Sequence, residues 1–310
     1  MDFRFEAALP TDVAHTVVDA TVEGLNKAYD VHEALGKSGA EVVRTNAYGD
    51  AALAVDVNAE AAVIDTLEAT GLPFTVHSEE HGRVELNPHA PGRRLLAVAD
   101  GLDGSSVYRQ HPGRGSYGTM LTVFANDDPH YKDFVAAGIV EHATGRLLFA
   151  RQGHQLEVNN LKTLGRTYPH ARSGNVLSQD DTIAFVDIGP PDASPDHPLH
   201  AYFESNYQTF AMPLAVEGIP TIYLGSSAAY YIALATGKAD IVGEGTRKGN
   251  LEWPTAYAIA TTAGGVMLTL DGKDLGQQKF LKFGQTDYQP ILTAANARLA
   301  RKVLAVLTRD

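Results

Sequence analysis

The stretch Leu96-Ala97-Val98-Ala99-Asp100-Gly101-Leu102-Asp103-Gly104-Ser105-Ser106 constrains the fold more than any other part of the chain. Its apolar first half reads as a buried strand, the kind found inside a covered sheet. The strand ends in two aspartates three residues apart, followed by Gly-Ser-Ser. Hard carboxylate oxygens then stand beside a loop whose backbone N–H groups can hold an anion. Together these suggest a divalent cation, a phosphate and phosphoryl chemistry. Asp-Gly and Gly-Ser pairs are also ordinary turn punctuation, so the stretch alone does not decide.

Composition narrows the choices. With 310 residues the chain can bury a full core, as one large domain or two packed lobes. It contains no cysteine, which removes disulfides, thiolate nucleophiles and cysteine-ligated metals. A formal charge of −12 argues against nucleic acid as the main partner, because phosphate backbones are met by basic patches. A net acidic protein that handles a phosphorylated substrate needs local positive charge, and bound Mg²⁺ supplies it. No apolar run reaches the length of a membrane span. The beginning Met1-Asp2-Phe3-Arg4-Phe5-Glu6 lacks the layout of a signal peptide, so cytoplasmic residence and no membrane partner are expected.

Along the chain, Thr11 to Leu35 shows helical spacing of apolar residues, and Gly36 to Gly49 reads as a loop. A second helix is expected from Asp50 to Leu67. Strands are expected at Phe74–His77, Arg94–Ala99 and Tyr117–Phe124, then at Phe134–Glu141 and Leu147–Arg151 as a hairpin, and at Thr182–Ile188. Beyond the Pro/Asp/His-rich segment from Gly189 to His200 the pattern alternates. It reads as strand Thr221–Leu224, helix Ser227–Thr236, strand Ala239–Val242, helix Glu252–Ala263, strand Val266–Leu270 and a terminal helix from Ala294 to Leu307. Two intimately packed lobes are expected, residues 1–188 and 189–310.

Acidic residues gather beside turns and element ends: Asp50 with Asp56, Glu79 with Glu80, Asp100 with Asp103, and Glu252. Dispersed acids are usually solvated surface, but Glu79 and Asp103 each end an apolar strand and Glu252 opens an apolar helix. In this order and spacing the chain resembles the inositol monophosphatase/fructose-1,6-bisphosphatase superfamily of lithium-sensitive, Mg²⁺-dependent phosphomonoesterases. The resemblance runs over about residues 36 to 275. It is carried by Gly49-Asp50 with Asp56, Ser78-Glu79-Glu80, Asp100 to Ser106, Ser116-Tyr117-Gly118-Thr119, Gly225-Ser226-Ser227-Ala228, and Glu252 ahead of Gly264-Gly265.

The resemblance implies an α/β fold with mixed α+β and α/β lobes, a layered α-β-α-β-α sandwich with the metal cleft between the lobes. It implies that Glu79, Asp100, Asp103, Glu252 and the backbone carbonyl of Leu102 ligate two or three Mg²⁺ ions. Asp56 and Ser105 would orient and deprotonate the attacking water, with Asp50 in support. The N–H groups of Gly104, Ser105 and Ser106 would hold phosphate oxygens. Expected activity is hydrolysis of a small sugar or polyol phosphate monoester, of the inositol monophosphate or fructose 1,6-bisphosphate type, with inhibition by Li⁺. A nucleotide 3′-phosphatase and a non-catalytic sensor of sugar phosphate or Mg²⁺ are the alternatives. A homodimer or homotetramer is implied as well.

This chain also departs from the family pattern. Gly101 stands where the family usually has proline, Leu251-Glu252 where the monophosphatase branch has Trp-Asp, and Val107-Tyr108 where Asn plus an apolar residue is usual. Substrate choice is therefore open. Glu244, eight residues before Glu252, is either a contact for a substrate hydroxyl or a plain loop acid. Arg247 and Lys248 either meet a second phosphate or lie on a solvated loop. Ser205-Asn206-Tyr207 is a candidate lining of the pocket. The histidines lack zinc spacing, the glycines Gly113, Gly115 and Gly118 precede a strand instead of opening a helix, and no Gly-x-Ser-x-Gly elbow is present.

Overall fold

The computed structural model of the protein describes residues 9–46, 48–163, 165–169, 171, 177–178, 181–190, 196–197 and 199–309. Helix α1 (Thr11–Leu35) buries Val17, Ala20, Leu25, Ala28 and Tyr29, the stripe that its spacing predicts. A hairpin of β1 (Val42–Thr45) and β2 (Ala51–Leu53) leads into α2 (Ala54–Ala69). Sequence reading expects a loop and an earlier helix start here. Strand β1 is exposed along its whole length and so carries no burial pattern. The short run Ala51-Ala52-Leu53 fits either element until its partner strand is known.

Strands β3 (Phe74–Ser78), β4 (Gly82–Leu86), β5 (Leu95–Asp103), β6 (Gly118–Phe124), β7 (Phe134–Glu141), β8 (Arg146–Arg151), β9 (Glu157–Asn160) and β10 (Arg166–Thr167) follow, with a short helix α3 (Ser105–Gln110) after β5. They form an eight-stranded sheet in the order β10-β9-β8-β7-β6-β5-β3-β4. Only β3 and β5 pair in parallel; the other neighbours are antiparallel. Strand β5 is buried throughout and serves two cores. Leu96 and Val98 face one of them, while Leu95, Ala97 and Ala99 face the other, toward α1 and α2.

The second sheet has the order β12-β11-β13-β15-β14. Its strands are β11 (Ala184–Val186), β12 (Thr221–Ile222), β13 (Ile241–Gly245), β14 (Val266–Thr269) and β15 (Pro290–Ala294). Strand β11 pairs in parallel with β12 and β13, and β15 runs antiparallel to β13 and β14. Helices α4 (His200–Asn206) and α5 (Met212–Val216) are joined by a wider π turn at Tyr207–Ala211. Helices α6 (Ser227–Ala235), α7 (Trp253–Thr262) and α8 (Ala297–Leu307) complete the chain.

The layers run α1/α2, eight-stranded sheet, α6/α7, five-stranded sheet, α5/α8, which is the expected α-β-α-β-α sandwich. Helices α6 and α7 are buried on nearly every side because sheets cover both their faces. That explains why their apolar residues show no single stripe. Since β11 belongs to the five-stranded sheet, the change of sheet falls between β10 and β11, upstream of position 188.

Candidate active site

The site starts from a fault in β5. In a regular strand, residues three apart point to opposite faces. Here Asp100 pairs with Met120 but Asp103 pairs with Gly118, so β5 carries one residue more than β6 across this interval. Such a bulge re-aims side chains, and it brings Asp100 and Asp103 together. Glu252, just ahead of α7 in the helical layer between the sheets, joins them. Carboxylate oxygens of Asp100, Asp103 and Glu252 all lie within 4.8 Å of one another, and all three residues are buried.

Asp103 is gripped by the start of α6. Its Oδ2 accepts the Ser226 hydroxyl at 2.6 Å and the Ala228 N–H at 2.6 Å. The Ser226 hydroxyl oxygen meanwhile caps that helix by accepting the Ala229 N–H at 3.2 Å. Burial pushes Asp103 up to about 6, against the opposing bonds from Ser226 and Ala228. Burial likewise pushes Glu252 up to about 7, opposed by Arg247 and reinforced by Asp103 and Glu79. Asp100 is raised well above its ordinary value by burial, and further by the charges of Glu79, Asp103, Asp56 and Glu252.

Asp56 lies buried in the first turn of α2, close against β5. A Cβ on Gly101 would come within 2.4 Å of the Asp56 carbonyl oxygen and 2.5 Å of its Oδ1. The glycine is what allows this approach. Leu102 is buried between the two aspartates. Gly104 turns the chain with φ of +88°, a left-handed conformation suited to glycine, and Ser105 opens α3 half-buried with Ser106 exposed beside it.

Glu79 and Glu80 follow β3, both buried, and the side-chain amide of Asn46 donates to Glu79 Oε1 at 3.3 Å and Glu80 Oε1 at 3.0 Å. Asp50 is exposed at the β1–β2 turn, where its backbone N–H reaches Asn46 Oδ1 at 2.9 Å. Asp50 therefore adjoins the cluster through Asn46, outside the buried trio. Sequence reading missed Asn46 and also Glu60, a fully buried α2 acid beneath the Glu79 turn. Only their partners, distant in sequence, reveal them.

On the five-stranded sheet Glu244, in β13, is buried and accepts the Ser227 hydroxyl at 3.1 Å and the Tyr231 hydroxyl at 2.8 Å. Burial pushes it up to about 8, with Asp187 adding to the effect and the Tyr231 bond opposing it. Arg247 sits over the Tyr202 ring at 5.5 Å. Its charge is felt by Asp103, Asp187 and Glu252, so it belongs to the cleft and not to a solvated loop. The side chain of Lys248 lies outside the described residues.

Ser205 is half-buried and Tyr207 exposed. Asn206 is a buried brace, donating to the Asp187 carbonyl at 2.7 Å and accepting the Tyr288 hydroxyl at 2.8 Å. The aromatic ring near the charges is thus Tyr202. Asp187 was missed although it follows an apolar strand just as Glu79 does; the same strand-end signal would have found it.

The donor set fits a hard divalent cation. Three buried carboxylates at this separation repel one another in a medium that screens poorly, and positive charge relieves both the repulsion and the raised proton affinity. All their donor atoms are oxygens, the preference of Mg²⁺-like ions.

Comparison with known proteins agrees. The sequence profile of the inositol monophosphatase family matches residues 10–308. A relative from Methanothermobacter thermautotrophicus, a fructose-1,6-bisphosphatase/inositol-1-monophosphatase, is 29% identical over 124 residues. That match covers 38% of this chain and 43% of the relative, less than half its length. The fold is similar to that of the extragenic suppressor protein suhB of Bartonella henselae, with a TM-score of 0.68 at 16% identity over 94% of this chain and 98% of that one. It is similar to Leishmania major fructose-1,6-bisphosphatase, with a TM-score of 0.68 at 16% identity over 96% and 95%. It is similar also to an inositol monophosphatase from Zymomonas mobilis, with a TM-score of 0.65 at 17% identity over 97% and 100%. At such identities the structural likeness is one of fold. The match over residues 10–308 places the chain in the inositol monophosphatase family, a family of phosphoric monoester hydrolases.

Proposed function

We propose that the protein hydrolyses a small sugar or polyol phosphate monoester with the help of Mg²⁺. The observation that carries this reading is the buried trio Asp100, Asp103 and Glu252, whose oxygens converge within 4.8 Å. Glu79, Asp100, Asp103, Glu252 and the Leu102 carbonyl hold two or three ions. When bound, the cations supply charge neutralisation at the phosphate and a more acidic water. The cleft between the two lobes receives the ester.

The chain's own residues do the rest. Asp56, held against the Asp100 loop, takes a proton from the attacking water through Ser105, because a hydroxyl is not itself a useful base. Asp50 supports this side through the hairpin turn and Asn46. N–H groups of Gly104, Ser105 and Ser106 face the phosphate oxygens. Glu244, fixed by Ser227 and Tyr231, receives a hydroxyl of the leaving alcohol. Arg247 stands toward a second anionic group, with Lys248 next to it in sequence, and Ser205 and Asn206 at the end of α4 lie on the substrate side, Tyr207 being left to solvent. A cytoplasmic homodimer or homotetramer, inhibited by Li⁺, completes the reading that family membership supports.

The test is phosphate release from inositol monophosphates, fructose 1,6-bisphosphate and a 3′-phosphorylated nucleotide, with and without Mg²⁺, and with Asp103→Asn as control. Mg²⁺-dependent release that the variant loses is the expected result. Tight binding of a sugar phosphate without turnover by the wild type would replace the enzyme reading with a sensor.

A further inference from the structure

We infer that Glu60 is a positioning residue that holds Glu79 and Asp100 in one frame, an inference that rests on reading those two acids as cation ligands. Glu60 sits on α2, fully buried, and its two oxygens collect donors from two different strand ends. Oε1 accepts the N–H of Glu79 at 3.0 Å and of Gly101 at 3.3 Å. Oε2 accepts the N–H of Glu80 at 3.0 Å and of His81 at 3.2 Å, and lies 3.0 Å from His81 Nδ1.

The place of these bonds explains their purpose. Strands β3 and β5 run in parallel, and their paired register ends at Ser78 with Ala99. One step beyond, β3 ends in the turn with Glu79, while β5 runs on into its bulge with Asp100 and Gly101. Backbone N–H groups leaving a buried sheet need acceptors, and Glu60 supplies them to both chains at once. It thereby carries the sheet one rung further with a side chain. Glu79 and the Asp100–Gly101 peptide are tied to the same carboxylate, so the spacing between the two acids is set by Glu60 and not by loop flexibility. The loop is held from the other side as well, since the Thr119 hydroxyl donates to the Gly101 carbonyl at 2.7 Å. Gly101 is required for the approach: a Cβ there would lie 2.8 Å from Glu60 Cγ.

Chemistry makes a carboxylate necessary. Both oxygens accept backbone N–H groups, whereas glutamine must present its NH₂ end to one of the two groups of N–H. Glu60 also places a carboxyl group beside the proposed cation site without occupying a ligand position. Residues that orient metal ligands in this way typically alter affinity by about 10- to 100-fold when changed.

The experiment measures Mg²⁺ binding to metal-stripped protein by calorimetry, with Mn²⁺ paramagnetic resonance as a second readout, for wild type, Glu60→Gln, Glu60→Asp and Asp103→Asn. Expected for Glu60→Gln is a Kd raised about 10-fold or more, a parallel rise in the metal concentration needed for activation, and an unchanged substrate KM at saturating metal. Glu60→Asp keeps the charge and should move the same quantities in the same direction by less. A folded Glu60→Gln with wild-type metal affinity overturns the inference, even if its metal-free melting temperature drops, since that pattern is purely structural. Should Glu60→Gln fail to fold, wild-type affinity in Glu60→Asp overturns it instead. If Asp103→Asn loses affinity and the Glu60 variants do not, only the inference fails. If none loses affinity, the reading of the acids as ligands fails with it.

Discussion

The two sides of the cleft hold their acids by different means. On the side of the eight-stranded sheet, backbone groups take part in setting the acids, beside the side chains of Ser226 and Asn46. The β5 bulge aligns Asp100 with Asp103, helix α6 presents an N–H to Asp103, and the Glu79 turn is anchored by its own amides on Glu60. On the side of the five-stranded sheet the grips come from side chains. Glu244 depends on two hydroxyls, and Arg247 rests on an aromatic ring. Backbone grips leave little room for variation, while side-chain grips change with single substitutions. Under the proposed function, the first side would serve the phosphoryl chemistry and the second would tune the choice of alcohol.

This comparison can be broken most sharply at Asp103. Asp103→Asn should lower kcat on the order of a thousandfold, the scale of losing one preorganised electrostatic contact, with the melting temperature of metal-free protein held or raised. Near-wild-type turnover in a phosphate-release assay would sink the assignment. A backbone test follows at Gly101, where a Cβ would strike the Asp56 carbonyl at 2.4 Å. Gly101→Ala should cost about 1–3 kcal/mol of stability, read by denaturant titration, and activity should fall with it.

A pH series separates repulsion among the acids from the rest of the fold. Asp103 and Glu252 are pushed up to about 6 and about 7 in the metal-free protein, above the values they recover on unfolding. Between about pH 4 and pH 7 the native state therefore holds protons that the unfolded chain releases. Their contribution to stability is present below that window and is lost as pH rises through it. Metal-free protein should melt several degrees lower at pH 8 than at pH 5, and Mg²⁺ should restore the loss. A double variant, Asp103→Asn with Glu252→Gln, should flatten the slope; an unaltered slope would assign it to other groups.

Smaller effects belong to the tuning side. Glu244→Gln should raise substrate KM by up to about tenfold, the worth of one hydrogen bond, with kcat less affected. An ester lacking the contacted hydroxyl should show no such difference between wild type and variant. Tyr207→Ala, at a ring that is 44% exposed, should change stability by less than about 0.5 kcal/mol and leave turnover within twofold. A large loss there would return Tyr207 to the pocket in place of Tyr202.

Local pattern alone made α1, β5 and the strand-end acids Glu79, Asp100 and Asp103 legible, because periodicity encodes burial and an acid after an apolar run marks an edge. Order and spacing then pointed to the family. The pattern stayed silent at β1, which is exposed throughout, whereas α6 and α7 were legible as helices although both their faces are covered.

What the sequence by itself determined is the family, and with it phosphate-ester hydrolysis as the class of chemistry, because the order and spacing of its acids and glycines run along the chain itself. What only the tertiary structure decided is which groups hold those acids in place. Ser226 reaches Asp103 across 123 positions and Glu60 reaches Gly101 across 41. No periodicity joins such pairs; they meet because two sheets and a helical layer pack to one density, and the buried carboxylates accept whatever donors that packing delivers.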